Sequence, residues 1–321
     1  MIRTHTLILI LALGSLASTC EQEVSLTLPQ PQERMVVLCN FTPNQPFEVV
    51  VSRSQDLLSA QPASYVRDAE VRIFDEHNTL LANLSQYVES EDPDVAPFYT
   101  NTSFLPQVGQ PYTLKVRAKG LDQVQATDAI PIPVPLQQVE IASFQLQPSD
   151  VEGIKRFQMQ LHLALHDPPA QDNYYHLNLY QEVKSFQVLG ARDTVWGPAQ
   201  LLLAGIASSS LDAGILSELD NGLLFSDVHL DGQLIDLTLD ADFFIAIPPQ
   251  SERNYTFGDV YVELRSTSKA YYLYHSTLSR QRKSANTPFS EPVVIYNNIE
   301  QGLGNFSGYS IFVGKVTPPP Q

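Results

Sequence analysis

Positive charge is scarce in this sequence of 321 residues. It has 19 Lys and Arg residues against 35 Asp and Glu residues, which gives a formal net charge of −16 and a pI of about 4.7. An acidic surface repels phosphate groups, and no basic cluster is present to displace the counterions that surround them. The composition therefore excludes a nucleic-acid-binding protein.

Several motifs of enzymes and cofactor sites are also lacking. The sequence has no CxxC pair, no HExxH motif, no phosphate-cradling glycine loop and no Ser-His-Asp ordering. We therefore predict a protein that is not an enzyme, with no catalytic residue, no metal and no cofactor. Apolar residues make up 43% of the chain, which is enough for a hydrophobic core and excludes a wholly disordered protein.

Long apolar runs are absent, and the one clear run lies in the first 19 residues. A single cation, Arg3, precedes the apolar segment 7–13, and small residues follow it up to Thr19. This order is typical of a secretory signal peptide, and the run is about half of the roughly 20 residues that a membrane-spanning helix needs. We predict a signal peptide over residues 1–19 and no transmembrane helix in the mature chain.

Cysteine is rare, and its two positions differ in context. Cys20 ends the string Leu-Ala-Ser-Thr-Cys, which resembles the lipobox of bacterial lipoproteins, where diacylglycerol is attached to the thiol. Cys39 lies in a β-type run and is predicted to be a buried thiol. We predict lipidation of Cys20, and the alternative is an exported disulfide between Cys20 and Cys39.

Short β-type runs separated by Pro, Asn, Asp and Gly fill the chain as far as residue 130. Their number and spacing predict an immunoglobulin-like β-sandwich over residues 20–133. The predicted strands cover residues 24–28, 35–41, 47–52, 69–75, 80–84, 112–118 and 124–130.

Proline at every second position from Pro131 to Pro135 marks a domain boundary, because proline removes backbone donors and stiffens the chain. A larger β-rich domain is predicted over residues 137–316, followed by a disordered tail over 317–321. Apolar and polar residues alternate from Phe157 to Leu165, which predicts a strand. Further strands are predicted at residues 174–183, 235–239, 243–247, 257–265 and 309–316.

One segment of the second half has helical rather than strand periodicity. Residues 268–283 contain no Gly or Pro, and Tyr271, Tyr274 and Leu278 recur at helical spacing. Basic residues in its last turn complement the helix dipole. We predict one amphipathic helix here, while residues 209–219 are compatible with a second, shorter one. The fold class is therefore mainly β.

Characteristic strings occur along nearly the whole mature chain. They are residues 20–24, 34–37, 167–169, 173–175, 224–227, 231–232, 286–292 and 298–309. These strings resemble those of a family of outer-membrane lipoproteins of Bacteroidota, catalogued as domain of unknown function 4249. The closing segment carries the most specific part of the resemblance, and its glycines are predicted to form a tight loop before the last strand.

The resemblance implies a cellular location and a partner protein. Members of this family look like lipoproteins associated with TonB-dependent outer-membrane transporters, which implies an accessory role in substrate capture or uptake. Glu21 and Glu23 after Cys20 are similar to the surface-export signal of such lipoproteins, and the alternative is a solvated tether. The expected location is the outer membrane, lipid-anchored, at the cell surface. The alternatives are an adhesive or structural surface lipoprotein without a transport partner and a carboxylate-dependent hydrolase.

Few side chains stand out as candidates for a site. The single tryptophan, Trp196, lies in a loop-like string where it suits a partner or ligand contact, although filling the core is an equal alternative. His162 and His166 share one face of a predicted strand. The simpler interpretation is that this face is exposed to solvent, and the alternative is that the two imidazoles bind a metal. The acidic loop 89–94 is interpreted as solvated. A hydrolase would need paired carboxylates from Asp227, Asp231, Asp236, Asp240 and Asp242.

Overall fold

The computed structural model describes residues 32–55, 62–147, 151, 153–189, 193–208, 217–219, 222–246, 254–285, 291 and 293–319. The first half contains β1 (Met35–Phe41), β2 (Val50–Arg53), β3 (Glu70–Phe74), β4 (Leu80–Asn83), β5 (Gln86–Val88), β6 (Phe98–Thr100), β7 (Pro111–Arg117) and β8 (Val124–Ala129). The second half contains β9 (Leu136–Gln147), β10 (Ile154–His166), β11 (Tyr174–Val188), β12 (Thr194–Leu203), β13 (Gly205–Ser208), β14 (Ser217–Leu219), β15 (Gly222–Ser226), β16 (Leu234–Ala246), β17 (Asn254–Thr267), α1 (Lys269–Ala285) and β18 (Leu303–Val316).

The largest sheet joins strands from both ends of the chain. Its order is β14-β15-β11-β17-β18-β1-β2, with β12 also paired to β11. β1 and β18 run parallel, with Val37 opposite Gly304 and Phe41 opposite Gly308. Every other named strand pair in the described residues is antiparallel. The first strand of the fold is therefore held directly by the last.

A second sheet, in the order β13-β16-β10-β9, packs against β11, β17 and β18. Strand β10 shows why these residues form a strand: the apolar side chains from Phe157 to Leu165 alternate into the core, as the two-residue period predicts. Four aromatic rings fill one end of this core, with centroids 4.2–6.0 Å apart in each contacting pair. They belong to Phe144, Phe157, Phe243 and Phe257.

The core of the first half lies between the sheet β4-β3-β7-β8 and the β1–β2 end of the large sheet. It includes a side chain from the far end of the sequence, because Phe306 of β18 is buried here and stacks on Phe41 at 4.6 Å. Cys39 is buried in the same core as a free thiol, as predicted, and burial raises its pKa. The first core is therefore completed by a residue of the second half.

The sequence-based fold class is confirmed: the chain is mainly β, with a sandwich in its first half and helix α1 in its second. Helix α1 falls on the predicted segment. Ser268 caps its first turn, since the Ser268 hydroxyl accepts a bond from the backbone N–H of Tyr271 at 3.2 Å. The division into domains at residues 133–137 stays a prediction. Two residues of the predicted disordered tail make contacts with the body. The Thr317 hydroxyl donates to the Asp259 carboxylate at 2.6 Å, and Pro318 is buried.

Two local predictions were wrong. Of the three closing glycines, only Gly302 lies in a turn before the last strand, because β18 already begins at Leu303 and includes Gly304 and Gly308. Gly304 has a φ of +119°, and an added Cβ there would overlap the carbonyl of Val37. Within 209–219, the residues Ser217–Leu219 form β14 rather than helix, and 209–216 lie outside the described residues, as does the predicted strand 24–28.

We expect Gly304→Ala to destabilise the protein by about 3 kcal/mol, because the new methyl group forces β18 away from β1 and strains a positive φ. Urea unfolding measures the loss. Gly120→Ala is the matched control: Gly120 also has a positive φ, of +76°, but open space around it, so the cost should stay near 1 kcal/mol. Equal losses in the two variants would contradict the close β1–β18 contact.

Candidate functional site

Helix α1 crosses a polar face of the large sheet. Side chains of β17 alternate there, with Val262 and Leu264 in the core while Glu263 and Arg265 lie on the helix side. A helix that covers polar side chains must satisfy their hydrogen bonds, because water is excluded from them. The contacts beneath α1 therefore form a polar, largely buried region between the helix and the sheet.

The centre of this region is a chain of hydrogen bonds through Tyr271. The guanidinium of Arg265 donates to the Tyr271 hydroxyl at 3.1 Å and to the Glu263 carboxylate at 2.7 Å. The Tyr271 hydroxyl also lies 2.9 Å from Nδ1 of His176. The Arg265 guanidinium lies 4.9 Å from the centre of the Tyr309 ring, a favourable cation–π arrangement. Arg265, Glu263 and Tyr309 all belong to the sheet, so Tyr271 is the helix side chain through which this network holds α1.

His176 is neutral in this setting. Burial and then the charge of Arg265 lower its pKa to about 3. Because Tyr271 accepts a bond from Arg265, its own proton is available to Nδ1 of His176. The other ring nitrogen, Nε2, has no partner in the described residues and lies under Gly222, where a Cβ would come within 2.6 Å of it. The His176 ring therefore accepts a hydrogen bond at Nδ1, and its Nε2 is enclosed by neighbouring atoms that leave no space for a substrate.

The start of α1 is tied to the first half of the chain by Asp128. Its carboxylate accepts from the Ser268 hydroxyl and from the backbone N–H of Gly308 at 3.0 Å. Burial nevertheless raises the pKa of Asp128 to about 6, because desolvation outweighs these two hydrogen bonds. This carboxylate joins the helix cap, β18 and β8 in one contact.

Three carboxylates meet in a second polar cluster. Oxygens of Asp167, Asp227 and Asp231 lie within 4.8 Å of one another, and such oxygens are the ligands that a hard divalent cation prefers. Each is already engaged: Asp167 accepts from the Tyr175 hydroxyl at 2.6 Å, and Asp227 from the backbone N–H of Asn173 at 2.9 Å. Burial raises the pKa of Asp227. Its hydrogen bonds connect the loop at residues 167–173 to the loop at residues 227–233.

Sequence reasoning found only part of this cluster. Asp227 and Asp231 were among the candidate carboxylates, but Asp167 was not, although it belongs to the Asp-Pro-Pro string of the family resemblance. Asp167 is fully buried and so out of reach of a polymeric substrate. The other candidates are Asp236, Asp240 and Asp242, which lie along β16 and are paired across to β10.

The two histidines of β10 do not share a ligand. Four residues of strand separate them by about 13 Å. Nδ1 of His162 lies 3.1 Å from the Thr238 hydroxyl, and Nδ1 of His166 lies 3.1 Å from the carbonyl of Asp167. Of these rings, His162 is half-buried and His166 is exposed. The structure thus separates the pair instead of forming a metal site.

Trp196 is exposed at the start of β12. More than half of its surface, 57%, is accessible, and its ring contacts Phe186 at a centroid distance of 5.1 Å. Among the described strands, β12 pairs only with β11, so it forms a sheet edge. Large apolar side chains are exposed along it. We call this edge the Trp196 surface, comprising Val195, Trp196, Leu201 and Leu203.

The remaining candidate residues are the acidic loop and the residues that follow the predicted signal peptide. Residues 89–94 form an exposed acidic loop. Cys20, Glu21 and Glu23 lie outside the described residues. Within the described part of the chain, no helix has the length and apolar character that crossing a membrane requires.

Comparison with known proteins identifies a family. The model of the family described as Domain of unknown function (DUF4249) matches residues 21–313. A comparison with curated proteins finds no match. The family match begins directly after Cys20 and extends through most of β18. It therefore includes both strands of the parallel β1–β18 pair.

We expect the half-buried Asp128 to make the protein less stable at high pH. Its pKa is raised from 3.8 to about 6, so the stability it contributes is present below pH 4 and is lost as the pH rises through 6. The loss should reach about 2–3 kcal/mol at pH 8. Asp128→Asn should remove it, which urea unfolding from pH 4 to pH 8 measures.

The matched control for this titration is Asp122→Asn, because Asp122 is exposed in the same part of the chain. The difference in unfolding free energy between wild type and Asp128→Asn should change with pH, and Asp122→Asn measures how much of any change follows from the loss of one exposed carboxylate. A flat curve for Asp128→Asn would show that this carboxylate is not desolvated.

Proposed function

We propose that this chain, which belongs to the DUF4249 family, is a lipid-anchored accessory or binding protein of a bacterial outer membrane. Cys20 carries the lipid, Glu21 and Glu23 direct the protein to the cell surface, and its partner is a TonB-dependent transporter. The role is non-catalytic: the protein assists capture or uptake of a substrate that the transporter moves.

The observation that supports this proposal best is the Trp196 surface. A sheet edge with exposed apolar side chains is a site of association with another protein, and soluble proteins protect such edges unless they use them. Tryptophan is also the residue type most enriched at the energetic centre of protein interfaces. The exposed ring of Trp196 thus favours a partner contact over the alternative of core filling.

The short distance in sequence between Cys20 and the compact body fits a body that stays close to the membrane. Glu33 is the first residue of the compact body, and it lies 13 positions after Cys20 in the sequence. Such a segment spans at most about 45 Å when fully extended. A lipid on Cys20 would keep the body within reach of a protein in the same membrane.

The carboxylates favour binding over hydrolysis. A glycosidase needs one carboxylic acid and one carboxylate that both reach the substrate. Asp167 is fully buried and Asp227 nearly so, and both accept hydrogen bonds from neighbouring loops. This cluster suits a structural role, which supports the non-catalytic proposal.

We expect Cys20→Ala to abolish incorporation of labelled palmitate and to release the protein from the membrane fraction, because the thiol is the site of acylation. Cys39→Ala is the matched control, since Cys39 is the other cysteine and is buried. It should keep both the label and the membrane association. Labelling of Cys20→Ala at the wild-type level would contradict the anchor.

We expect Trp196→Ser to lower recovery of the transporter at least fivefold when the tagged protein is purified from mild detergent extracts of its native membrane. Loss of a buried aromatic anchor typically costs about 2 kcal/mol or more of binding free energy. Quantitative mass spectrometry measures the recovery. Leu80→Ser, which changes an exposed leucine of the first half, should leave it unchanged.

Two results would contradict this proposal. If wild type is recovered without a transporter, the protein acts alone, as an adhesin or a stand-alone binder would. If both variants recover the transporter as well as wild type does, the Trp196 surface is not the contact.

A further inference from the structure

A cleft opens between helix α1 and the β1–β2 end of the large sheet. Its volume is about 400 Å³, which lies in the range of small-molecule sites. Polar and aromatic side chains from three parts of the sequence meet in it. We call it the α1 cleft and define it by Asn40, Glu48, Phe98, Tyr274, His275 and Asn305.

The floor of the α1 cleft holds a hydrogen-bond acceptor without a donor. Asn305 is 1% exposed, and its Oδ1 has no partner in the described residues. The amide orientation is fixed, because Nδ2 of Asn305 donates to Oδ1 of Asn40 at 2.8 Å and to the Ser307 hydroxyl at 2.7 Å. Oδ1 has almost no accessible surface, so a donor in the cleft reaches it once the Asn305 side chain shifts. Because an unsatisfied buried carbonyl costs about 1–3 kcal/mol, a ligand that makes this contact gains affinity.

The other polar groups of the cleft add negative rather than positive character. Glu48 is an exposed carboxylate at the cleft. Nδ2 of Asn40 lies 3.2 Å from Nε2 of His275, so this donor is already used. No Lys or Arg is among the described residues that line the cleft. The cleft therefore presents acceptors in excess of donors.

Two aromatic rings complete the chemistry. Phe98 comes from the short strand β6, and Tyr274 comes from the middle of α1. Aromatic faces attract cations, and this attraction is strongest where the cation is partly desolvated. The exposed side chains of Leu38 and Val95 line the same cleft and offer apolar contact to an alkyl group.

We propose that the α1 cleft binds a small organic ligand through a primary ammonium group. The ammonium carries three donors and a positive charge, which match the free Oδ1 of Asn305, the Glu48 carboxylate and the two rings. A carboxylate or phosphate ligand would meet the charge of Glu48 and the lone pairs of Asn305. This inference rests on the cleft alone and holds with or without a transporter partner.

Ligand-observed NMR titration of the full-length protein tests the proposal with three probes of four carbon atoms each: butylammonium, butanol and butyrate. We expect butylammonium to bind in the millimolar range and at least tenfold more tightly than butanol, with no binding of butyrate. Glu48→Gln should weaken the binding of butylammonium about tenfold, because the variant removes the charge and keeps the shape of the side chain.

The matched control is Glu140→Gln, which makes the same change in net charge at an exposed position of β9. It should bind butylammonium as wild type does, since the cleft is untouched. Thermal unfolding of each variant verifies that the fold is intact. Equal binding of butylammonium and butanol, an equal effect of both substitutions, or no binding of butylammonium would overturn the proposal.

Discussion

The parallel pairing of β1 with β18 is the contact on which the rest of the structure depends. It joins residues more than 260 positions apart, such as Val37 and Gly304. The pairing places Phe306 in the core of the first half, where it stacks on Phe41. It also requires Gly304, because any side chain there would overlap the backbone of β1. Two hydrophobic cores are thereby joined through one strand.

The same strand also organises the outer face of the sheet. Side chains alternate along β18, so Phe306 points into the core while Asn305, Ser307 and Tyr309 lie beneath the helix. Asn305 forms the floor of the α1 cleft, and Tyr309 receives the Arg265 guanidinium. The backbone N–H of Gly308 bonds Asp128. Core packing, helix docking and the proposed ligand cleft are consequences of one strand register.

The sequence predicted the features that depend on local periodicity. The alternation in β10 and the helical spacing of α1 were correct, because each pattern repeats within a single element. The start of β18 was missed, since glycines usually indicate a turn, whereas here Gly304 permits a close backbone approach. The cluster around Asp167 was also missed, because it depends on how two distant loops pack. The lipid anchor and the transporter partner stay predictions.

The central claim is that the β1–β18 pairing makes the two cores one cooperative unit. Hydrogen–deuterium exchange under native conditions, resolved by peptide, tests it most directly. The account predicts that the amides of β1 and β18 exchange with the same opening free energy, equal to that of global unfolding. Exchange of β1 at a markedly lower free energy, while β17 and β18 stay protected, would contradict it.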